Sequence, residues 1–501
     1  MSNRTQRVIV IGAGIGGLTA AALLARRGHE VTVFDQAWVP GGCASTFKRG
    51  GFTFDVGATQ VAGLEPGGIH HQLFSELGVA LPEASPCDPA CAVYLPGEQT
   101  PIQVWRHPLR WARERRQQFP GSQPSGNCLE RLFRSVGNFR LDGPVLPPRN
   151  LWDLGQLVKA VRPATLLTAP YLFLTVGQVL RSYGLDQDRR LQTFLDLQLK
   201  LYSQVDADAT ALLYAATALG VSQAPQGLFH LQGSMQVLSQ RLVAGLRRHG
   251  GSLRLGHRVE GIHCTQGQAT GVTGQRQKTG KTWTESADHI VANVTVQDLV
   301  RLLGCQAPVG YRRRVEKLPP ASGAFVVYLG VDQAAIPADC PPHLQCLYDY
   351  EGPIAENNSL FISVSRPGDG RAPAGQATII ASSFTDPEVW WQCRDYEALK
   401  RQYTDTALAR LSQFFDLSPQ HIYHQEAATP RTFARFTARH RGIVGGIGQR
   451  LSTFGPFGIA TRTPISGLWL VGDSTHPGEG TAGVSYSALT AVEAAGGSSL
   501  A

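Results

Sequence analysis

Residues Val8–Leu18 read Val-Ile-Val-Ile-Gly-Ala-Gly-Ile-Gly-Gly-Leu, an apolar run that passes into a glycine-rich turn and then an alanine- and leucine-rich segment. This order predicts a buried strand, a tight turn and a helix. A second apolar run, Val31–Phe34, follows at the distance expected for the next strand, and Asp35 closes it. The stretch therefore predicts a βαβ unit of the kind that binds a dinucleotide.

Each glycine of the turn has a predicted physical role. Gly12 permits the tight turn, Gly14 lets the backbone approach a pyrophosphate, and Gly17 lets the helix pack closely on the strand. Gly16 belongs to the same turn, and the helix after it offers free N–H groups to phosphate oxygens. Asp35, 23 residues after Gly12, is expected to accept hydrogen bonds from an adenosine ribose.

A second glycine-rich stretch lies near the other end of the chain. Gly467–Val484 predicts a buried strand, an acidic residue, a turn and a small-residue helix. Asp473 is expected to bind the ribityl hydroxyls, with Gly472, Gly480 and Val484 along the cofactor beside it. Because an extended FAD needs contacts along its whole length, the two stretches together favour FAD over NAD.

Three segments carry a resemblance to a known family. Pro40–Gly42, Phe52–Gly57 and Gly472–Gly480 resemble the phytoene-desaturase and carotenoid-isomerase branch of FAD amine-oxidase-like flavoproteins. The most specific piece, Thr475–Gly478, is similar to the C-terminal signature of bacterial carotenoid desaturases. Cys43 is a departure, since many desaturases have arginine there. The small residue is closer to isomerase-like and later-pathway enzymes.

The resemblance extends the expected cofactor site. It implies contacts from Gly41, Gly42, Gly57 and Ala58, and a backbone contact from Val259 to adenine.

The positions of the motifs predict the domain organisation. Because the two flavin-binding pieces lie at opposite ends of 501 residues, the Rossmann-like domain must be discontinuous, as in amine oxidases. We assign it residues 1–75, 225–300 and 455–501. Residues 76–224 and 301–454 are expected to form an inserted α+β substrate domain on a mixed sheet, so the fold class is α/β.

Patterning predicts several elements. Helices are expected over most of 150–219, from Gln236 to Arg248 and over 396–416, and a strand over 252–259. Strands at 325–329, 361–364 and 378–380 would form the floor of a substrate cavity.

Composition and charge limit which binding partners and which cellular compartment we expect. With 46 basic and 38 acidic side chains the net charge is +8, which suits either an anionic membrane surface or a diffuse basic surface. No basic run interleaved with aromatic residues lies on a recognisable nucleic-acid-binding module, so we expect no nucleic-acid partner. The nine cysteines form neither a CxxC pair nor a zinc-like spacing, so we expect no metal and a reducing compartment.

The chain contains one candidate for membrane contact. The apolar stretch 165–176 is either a membrane-dipping element or a buried core helix, and it is too short to span a bilayer. We expect a peripheral protein on the cytoplasmic side of a membrane.

The resemblance implies hydride transfer to flavin N5, which leaves a proton to be accepted. His476 and Glu479 are the titratable candidates beside the C-terminal motif. His476 could instead stabilise a turn, and Glu479 could bind solvent or backbone. Arg431, Thr432, Arg435 and Tyr486 could also line the cavity.

The resemblance thus implies an FAD-dependent desaturase of an acyclic or end-group-modified carotenoid, with quinone or oxygen as electron acceptor. A late-pathway step, such as introducing a 3,4 double bond, is favoured. Alternatives are a carotene cis–trans isomerase using reduced FAD, a ketolase or saturase, and more distantly an amine oxidase. A non-enzymatic isoprenoid carrier is disfavoured by the intact glycine pattern.

Overall fold

In the computed structural model, which describes residues 5–135, 145–223 and 227–497, the predicted βαβ unit is present. Arg7–Ile11 and Glu30–Phe34 are parallel strands, and the Ile15–Arg26 helix joins them. Most of both strands is buried. Such continuous burial is what a parallel sheet covered on both faces requires.

The strands in chain order are β1 Arg7–Ile11, β2 Glu30–Phe34, β3 Thr46–Arg49, β4 Phe52–Asp55, β5 Val61–Ala62, β6 Ala84–Pro86, β7 Cys91–Tyr94, β8 Ile102–Val104, β9 Leu228–Leu231, β10 Ser252–Arg254, β11 His257–Thr265, β12 Gln268–Arg276, β13 Thr282–Ser286, β14 His289–Ala292, β15 Gly323–Asp332, β16 His343–Leu347, β17 Ser359–Val364, β18 Gln376–Thr385, β19 Ile422–Ala428 and β20 Leu468–Leu470. The helices are α1 Ile15–Arg26, α2 Ile69–Leu77, α3 Pro108–Gln118, α4 Gln123–Ser135, α5 Leu151–Ala160, α6 Pro163–Leu166, α7 Val176–Ser182, α8 Arg189–Ser203, α9 Leu212–Gln223, α10 Gln236–Arg248, α11 Val296–Leu303, α12 Val309–Glu316, α13 Pro387–Gln392, α14 Tyr396–Leu411, α15 Pro430–Thr437 and α16 Thr481–Gly497. Short 3₁₀ helices are Gly42–Ala44, Ala169–Phe173, Gly304–Gln306, Gln333–Ala335, Pro419–His421, His440–Gly442 and Gly455–Phe457.

A five-stranded parallel sheet forms one half of the protein, in the order β10-β2-β1-β14-β20. The C-terminal strand β20 thus completes a sheet that the N-terminal strand begins. Helices α1, α2, α10 and α16 bury one face of it. This sheet is the Rossmann-like domain that the sequence predicted, including its discontinuity.

A seven-stranded sheet forms the other half, in the order β19-β15-β18-β17-β16-β7-β8. It is mixed, as predicted, because β16 and β7 pair in parallel whereas every other pair of neighbouring strands in the sheet is antiparallel. The predicted strands at 325–329, 361–364 and 378–380 lie within β15, β17 and β18. Helix α14 packs against this sheet around the buried side chain of Trp390.

Most predicted helices are present and two predicted elements differ. The helix predicted over Gln236 to Arg248 is α10, and 150–219 is largely helical. The helix predicted over 396–416 ends at Leu411. The strand predicted over 252–259 is two strands, because β10 joins the parallel sheet whereas β11 pairs antiparallel with β12.

The strands distribute between the two sheets along the predicted division, although the exact domain boundaries stay a prediction. The strands of the five-stranded sheet fall within 1–75, 225–300 and 455–501, and those of the seven-stranded sheet within 76–224 and 301–454. The β3–β4 hairpin reaches across, since its Phe54 packs against Tyr328 of β15. The hairpin therefore joins the two halves.

The apolar stretch 165–176 is not a buried core helix. It includes the end of α6, the 3₁₀ helix Ala169–Phe173 and the first residue of α7. Leu166, Leu167 and Phe173 are 62%, 76% and 59% exposed, whereas Val176 is buried. The ring of Phe173 lies 6.2 Å from that of Phe457, which is also exposed. These four exposed side chains are called the apolar surface below. Among the described residues, no helix combines the length and the apolarity that crossing a bilayer requires.

Candidate active site

The glycine-rich turn after β1 closes around the side chain of Asn293, which follows β14. A Cβ atom on Gly14 would lie 2.7 Å from Asn293 Nδ2, and one on Gly16 would lie 2.9 Å from Asn293 Oδ1. A Cβ atom on Gly17 would lie 2.1 Å from the carbonyl oxygen of Gly12. A residue larger than glycine at these positions therefore requires the Asn293 side chain or the turn itself to move.

Asp35 lies at the end of β2, beside this turn. Its Oδ2 accepts the N–H of Ala13 at 2.6 Å, and its Oδ1 accepts the N–H of Ala37 at 2.7 Å. Burial raises the pKa of Asp35, and these two hydrogen bonds lower it. The N–H of Gly41 donates to the carbonyl of Ala13 at 2.8 Å. The Pro-Gly-Gly turn thus lies directly against the glycine-rich turn.

The C-terminal motif reaches the same asparagine from the other side. Gly472 has φ +107°, and a Cβ atom there would lie 2.9 Å from Asn293 Oδ1. The next residue, Asp473, pairs with Arg439, whose Nη2 lies 2.7 Å from its Oδ2. Burial acts to lower the pKa of Arg439, but Asp473, Cys43 and Asp298 together raise it above its ordinary value. Sequence reasoning missed Arg439, because no local motif marks which arginine meets Asp473.

One cavity, of about 580 Å³, brings the motifs together. Thirteen of the fourteen residues predicted to bind the cofactor line it, and Gly17 lies beneath the turn instead. The thirteen are Gly12, Gly14, Gly16, Asp35, Gly41, Gly42, Gly57, Ala58, Val259, Gly472, Asp473, Gly480 and Val484. Their individual contacts to a cofactor stay predictions.

The same cavity continues into an apolar region between the two halves of the protein. Aliphatic and aromatic side chains of α8, α9, α15 and the seven-stranded sheet form its wall. Among them are Leu201, Ala218, Val326, Phe361, Phe384 and Phe433. The predicted cavity floor is thus found on β15, β17 and β18.

The two predicted catalytic residues differ in position. Glu479 lines the cavity, whereas His476 does not. The ring of His476 lies 5.7 Å from that of Phe454. Burial lowers the pKa of His476 to about 4, so its imidazole is neutral at physiological pH. A catalytic role for either residue stays a prediction, and the geometry favours Glu479.

The carboxyl group of Glu479 is bound on one side only. Its Oε2 accepts the Nε2 hydrogen of Gln204 at 2.9 Å, while its Oε1 is shielded from solvent and has no hydrogen-bond partner among the described residues. Lys200 Nζ donates to the carbonyl oxygen of Gln204 at 2.9 Å. Sequence reasoning missed Lys200 and Gln204, since both lie in an ordinary amphipathic helix and its end.

Part of the cavity wall is held by a buried ionic network. Arg371 binds Asp55 at 3.1 Å and Asp369 at 3.2 Å, and His230 lies 2.9 Å from Asp369. All four side chains are at most 6% exposed. Asp55 directly precedes the wall segment 57–60 and also accepts the N–H of Met235 at 2.8 Å. The network therefore ties this wall segment to the loop after β17 and to the start of α10.

Of the four other residues predicted to line the cavity, one does so and three do not. Tyr486 lines the cavity, whereas Arg431, Thr432 and Arg435 do not, and their neighbours Phe433 and Thr437 take that position. Cys43 also lines the cavity, and burial raises the pKa of its thiol. In the described part of the chain no group of three or more His, Cys, Asp or Glu side chains could hold a metal ion.

Comparison with known proteins places the chain in a family. The family model described as flavin containing amine oxidoreductase matches residues 15–496. The chain is 28% identical over 504 residues to a chloroplastic prolycopene isomerase of Daucus carota, covering 97% of this chain and 79% of that protein. It is 25% identical over 514 residues to a zeta-carotene-forming phytoene desaturase of Myxococcus xanthus, covering 98% and 94%.

The fold has solved counterparts. An oxidoreductase from Methanosarcina mazei superposes with a TM-score of 0.67 at 17% identity, covering 97% of this chain and 100% of that one. At this identity the likeness concerns the fold alone.

Proposed function

Because the chain belongs to the flavin containing amine oxidoreductase family and is therefore a flavin-dependent oxidoreductase, we propose that its flavin is FAD and that it desaturates a carotenoid. The substrate is an acyclic or end-group-modified carotenoid. The observation that carries the proposal is the cavity, whose glycine-lined end continues directly into a region of apolar and aromatic side chains. The named activities of the carrot and Myxococcus proteins support the same substrate class.

The residues fit FAD. The glycines around Asn293 leave backbone, rather than side chains, facing the cleft, which suits a pyrophosphate beside the start of α1. Asp35 and Asp473 both line the cavity, and the two ribose-like portions of an extended FAD need hydroxyl acceptors of this kind. The residues Thr481–Val484 at the start of α16 line the cavity between the cleft and the apolar region.

When bound, FAD supplies hydride acceptance at N5. The chain's own residues supply the rest. Phe361, Phe384 and Phe433 hold a flat polyene and exclude water from it. One substrate carbon gives up a hydride, its neighbour gives up a proton, and Glu479 Oε1 is placed to receive that proton.

A second candidate function is cis–trans isomerisation of a carotene with reduced FAD. It is supported by the prolycopene isomerase of carrot, whose identity to this chain exceeds that of the Myxococcus desaturase. The small Cys43 beside the cofactor cleft agrees with both candidates.

We further propose that the protein works as a peripheral protein on the cytoplasmic side of a membrane, with quinone or oxygen as electron acceptor. The apolar surface of Leu166, Leu167, Phe173 and Phe457 supports membrane contact, because exposed apolar groups of this kind insert into a lipid interface. A carotenoid reaches the enzyme from the same lipid.

Anaerobic incubation of the FAD-loaded protein with acyclic carotenoids in liposomes tests the function. Stoichiometric bleaching of the flavin band together with a red-shifted polyene would establish a desaturase. A geometric isomer formed only after the flavin is pre-reduced would establish the isomerase instead. If no carotenoid of the panel changes in either redox state, the proposal is wrong.

A further inference from the structure

We infer that Gln204 and Lys200 are positioning residues for Glu479, which make Oε1 the oxygen that takes the proton from the polyene. The inference rests on the proposed function. In the step concerned, the hydride leaves one carbon with two electrons and passes to the oxidised flavin. The proton leaves the neighbouring carbon for Oε1, and the electron pair of that C–H bond becomes the new double bond.

The geometry gives the carboxyl group one orientation. Gln204 is 4% exposed and has φ +66°, just after α8 ends. A Cβ atom on Gly445 would lie 2.1 Å from Glu479 Oε2 and 2.2 Å from Gln204 Nε2. The hydrogen-bonded pair therefore packs against bare backbone, which fixes Oε2 on Gln204 and leaves Oε1 as the free oxygen.

Lys200 holds the other end of this arrangement. Its Nζ binds the carbonyl oxygen of Gln204, and its ammonium lies 5.6 Å from the centre of the Phe384 ring. A cation there keeps Gln204 in place and favours the carboxylate form of Glu479, which is the form that accepts a proton.

The charges around Glu479 set the sign of the pH dependence. Burial raises its pKa well above the ordinary value, and Asp473 raises it further, while Gln204, Arg439 and Lys200 lower it. The charged and titratable groups that face Glu479 are Asp473, Arg439, Lys200 and Tyr214. Proton acceptance therefore increases as pH rises through the Glu479 pKa. Loss of Gln204 or Lys200 moves this rise to higher pH.

Infrared titration tests the inference without any carotenoid. The carbonyl stretching band of the protonated Glu479 is assigned in the flavin-loaded protein by its loss in E479Q. In Gln204→Met and Lys200→Met the titration midpoint of this band is expected to rise, by about one pH unit or more for loss of a hydrogen bond to a charged group. Lys200→Arg should stay near the original midpoint. Gln192→Met is the matched control, because Gln192 lies on the same helix outside the cavity lining.

Single-turnover bleaching of the flavin by a carotenoid gives the second readout. Gln204→Met is expected to lower the maximal rate about tenfold at neutral pH with unchanged flavin content and little change in KM, and its pH profile should move to higher pH with the infrared midpoint. An unmoved midpoint, or an equal rate loss at every pH, would overturn the inference. A shifted midpoint with no bleaching in the unmodified protein would support the positioning role and refute the desaturase function.

Discussion

The two ends of the cavity are built in different ways. The nucleotide end is made by backbone, with Gly12, Gly14, Gly16 and Gly472 gathered around Asn293 so closely that a Cβ atom on any of them would clash. The apolar end is made by side chains from several helices and from the seven-stranded sheet, with a few polar groups set among them. The first end is thus specified by where side chains are absent, and the second by which side chains are present.

This difference predicts which substitutions abolish the site and which ones it tolerates. A backbone-built site depends on φ angles and close approach, so single substitutions should abolish it. A wall of apolar side chains tolerates exchange of one for another. Removing one member of a buried hydrogen-bonded pair, such as Gln204 and Glu479, leaves the other without its partner. The predictions below test this contrast from the largest expected effect to the smallest.

The largest effect is expected for Gly14→Val, which should abolish flavin retention. The added side chain would start 2.7 Å from Asn293 Nδ2, so the turn proposed to hold the pyrophosphate would have to rearrange. Flavin absorbance of the purified protein measures it. Gly310→Val is the control, since a Cβ atom at Gly310 meets nothing within 4 Å. A yellow, loaded Gly14→Val protein would show that the turn is not the pyrophosphate site.

Glu479→Gln should keep flavin binding and lower the rate of carotenoid conversion roughly 100- to 10,000-fold, the usual contribution of a positioned proton-transfer group. The amide has the same shape but cannot accept a proton. Single-turnover flavin bleaching measures it, with Glu351→Gln as control because the Glu351 side chain is 80% exposed. A loss below threefold would assign the proton to another group and reopen the case for His476.

Arg371→Met tests the buried ionic network that ties the wall segment 57–60 to the loop after β17 and to the start of α10. It should lower the free energy of unfolding by about 3–5 kcal/mol, because it leaves Asp55 and Asp369 buried without their cation. Denaturant unfolding measures it. Arg254→Met removes an exposed ion pair and should cost less than about 1 kcal/mol. Equal losses in the two variants would mean that the network contributes no more than a surface pair.

The smallest effect on the catalytic centre is expected for the triple variant Leu166→Ser, Leu167→Ser and Phe173→Ser. Flavin content should stay the same, while affinity for anionic liposomes should fall at least about tenfold through lost apolar insertion. Flotation measures it. Val389→Ser serves as control, since Val389 is 40% exposed on α13, which packs against α15 and the His440–Gly442 turn. Unchanged flotation of the triple variant would remove this surface from membrane contact.

Particular elements show how far sequence reasoning reached. It predicted α10 to the residue, because a glycine-bearing turn, an amphipathic run and terminal arginines mark both ends of that helix. It merged β10 and β11 into one strand, because an apolar alternation does not reveal which sheet each half joins. It did not decide whether 165–176 is a core helix or a membrane-contacting surface. The same apolar residues suit both, and only the positions of the neighbouring segments distinguish them.

The sequence by itself determined the nucleotide end. The strand, the turn with φ above zero, the helix start and the acidic strand end are each made by consecutive residues and can be recognised as motifs. The contact of these motifs with Asn293 and the pairing of Asp473 with Arg439 depend on the fold. Only the tertiary structure decided the partners at the other end. Gln204 and Glu479 are 275 residues apart, and Asp55 and Arg371 are 316 apart. A buried polar group takes whichever complementary group the fold brings near it, and no local pattern records that choice.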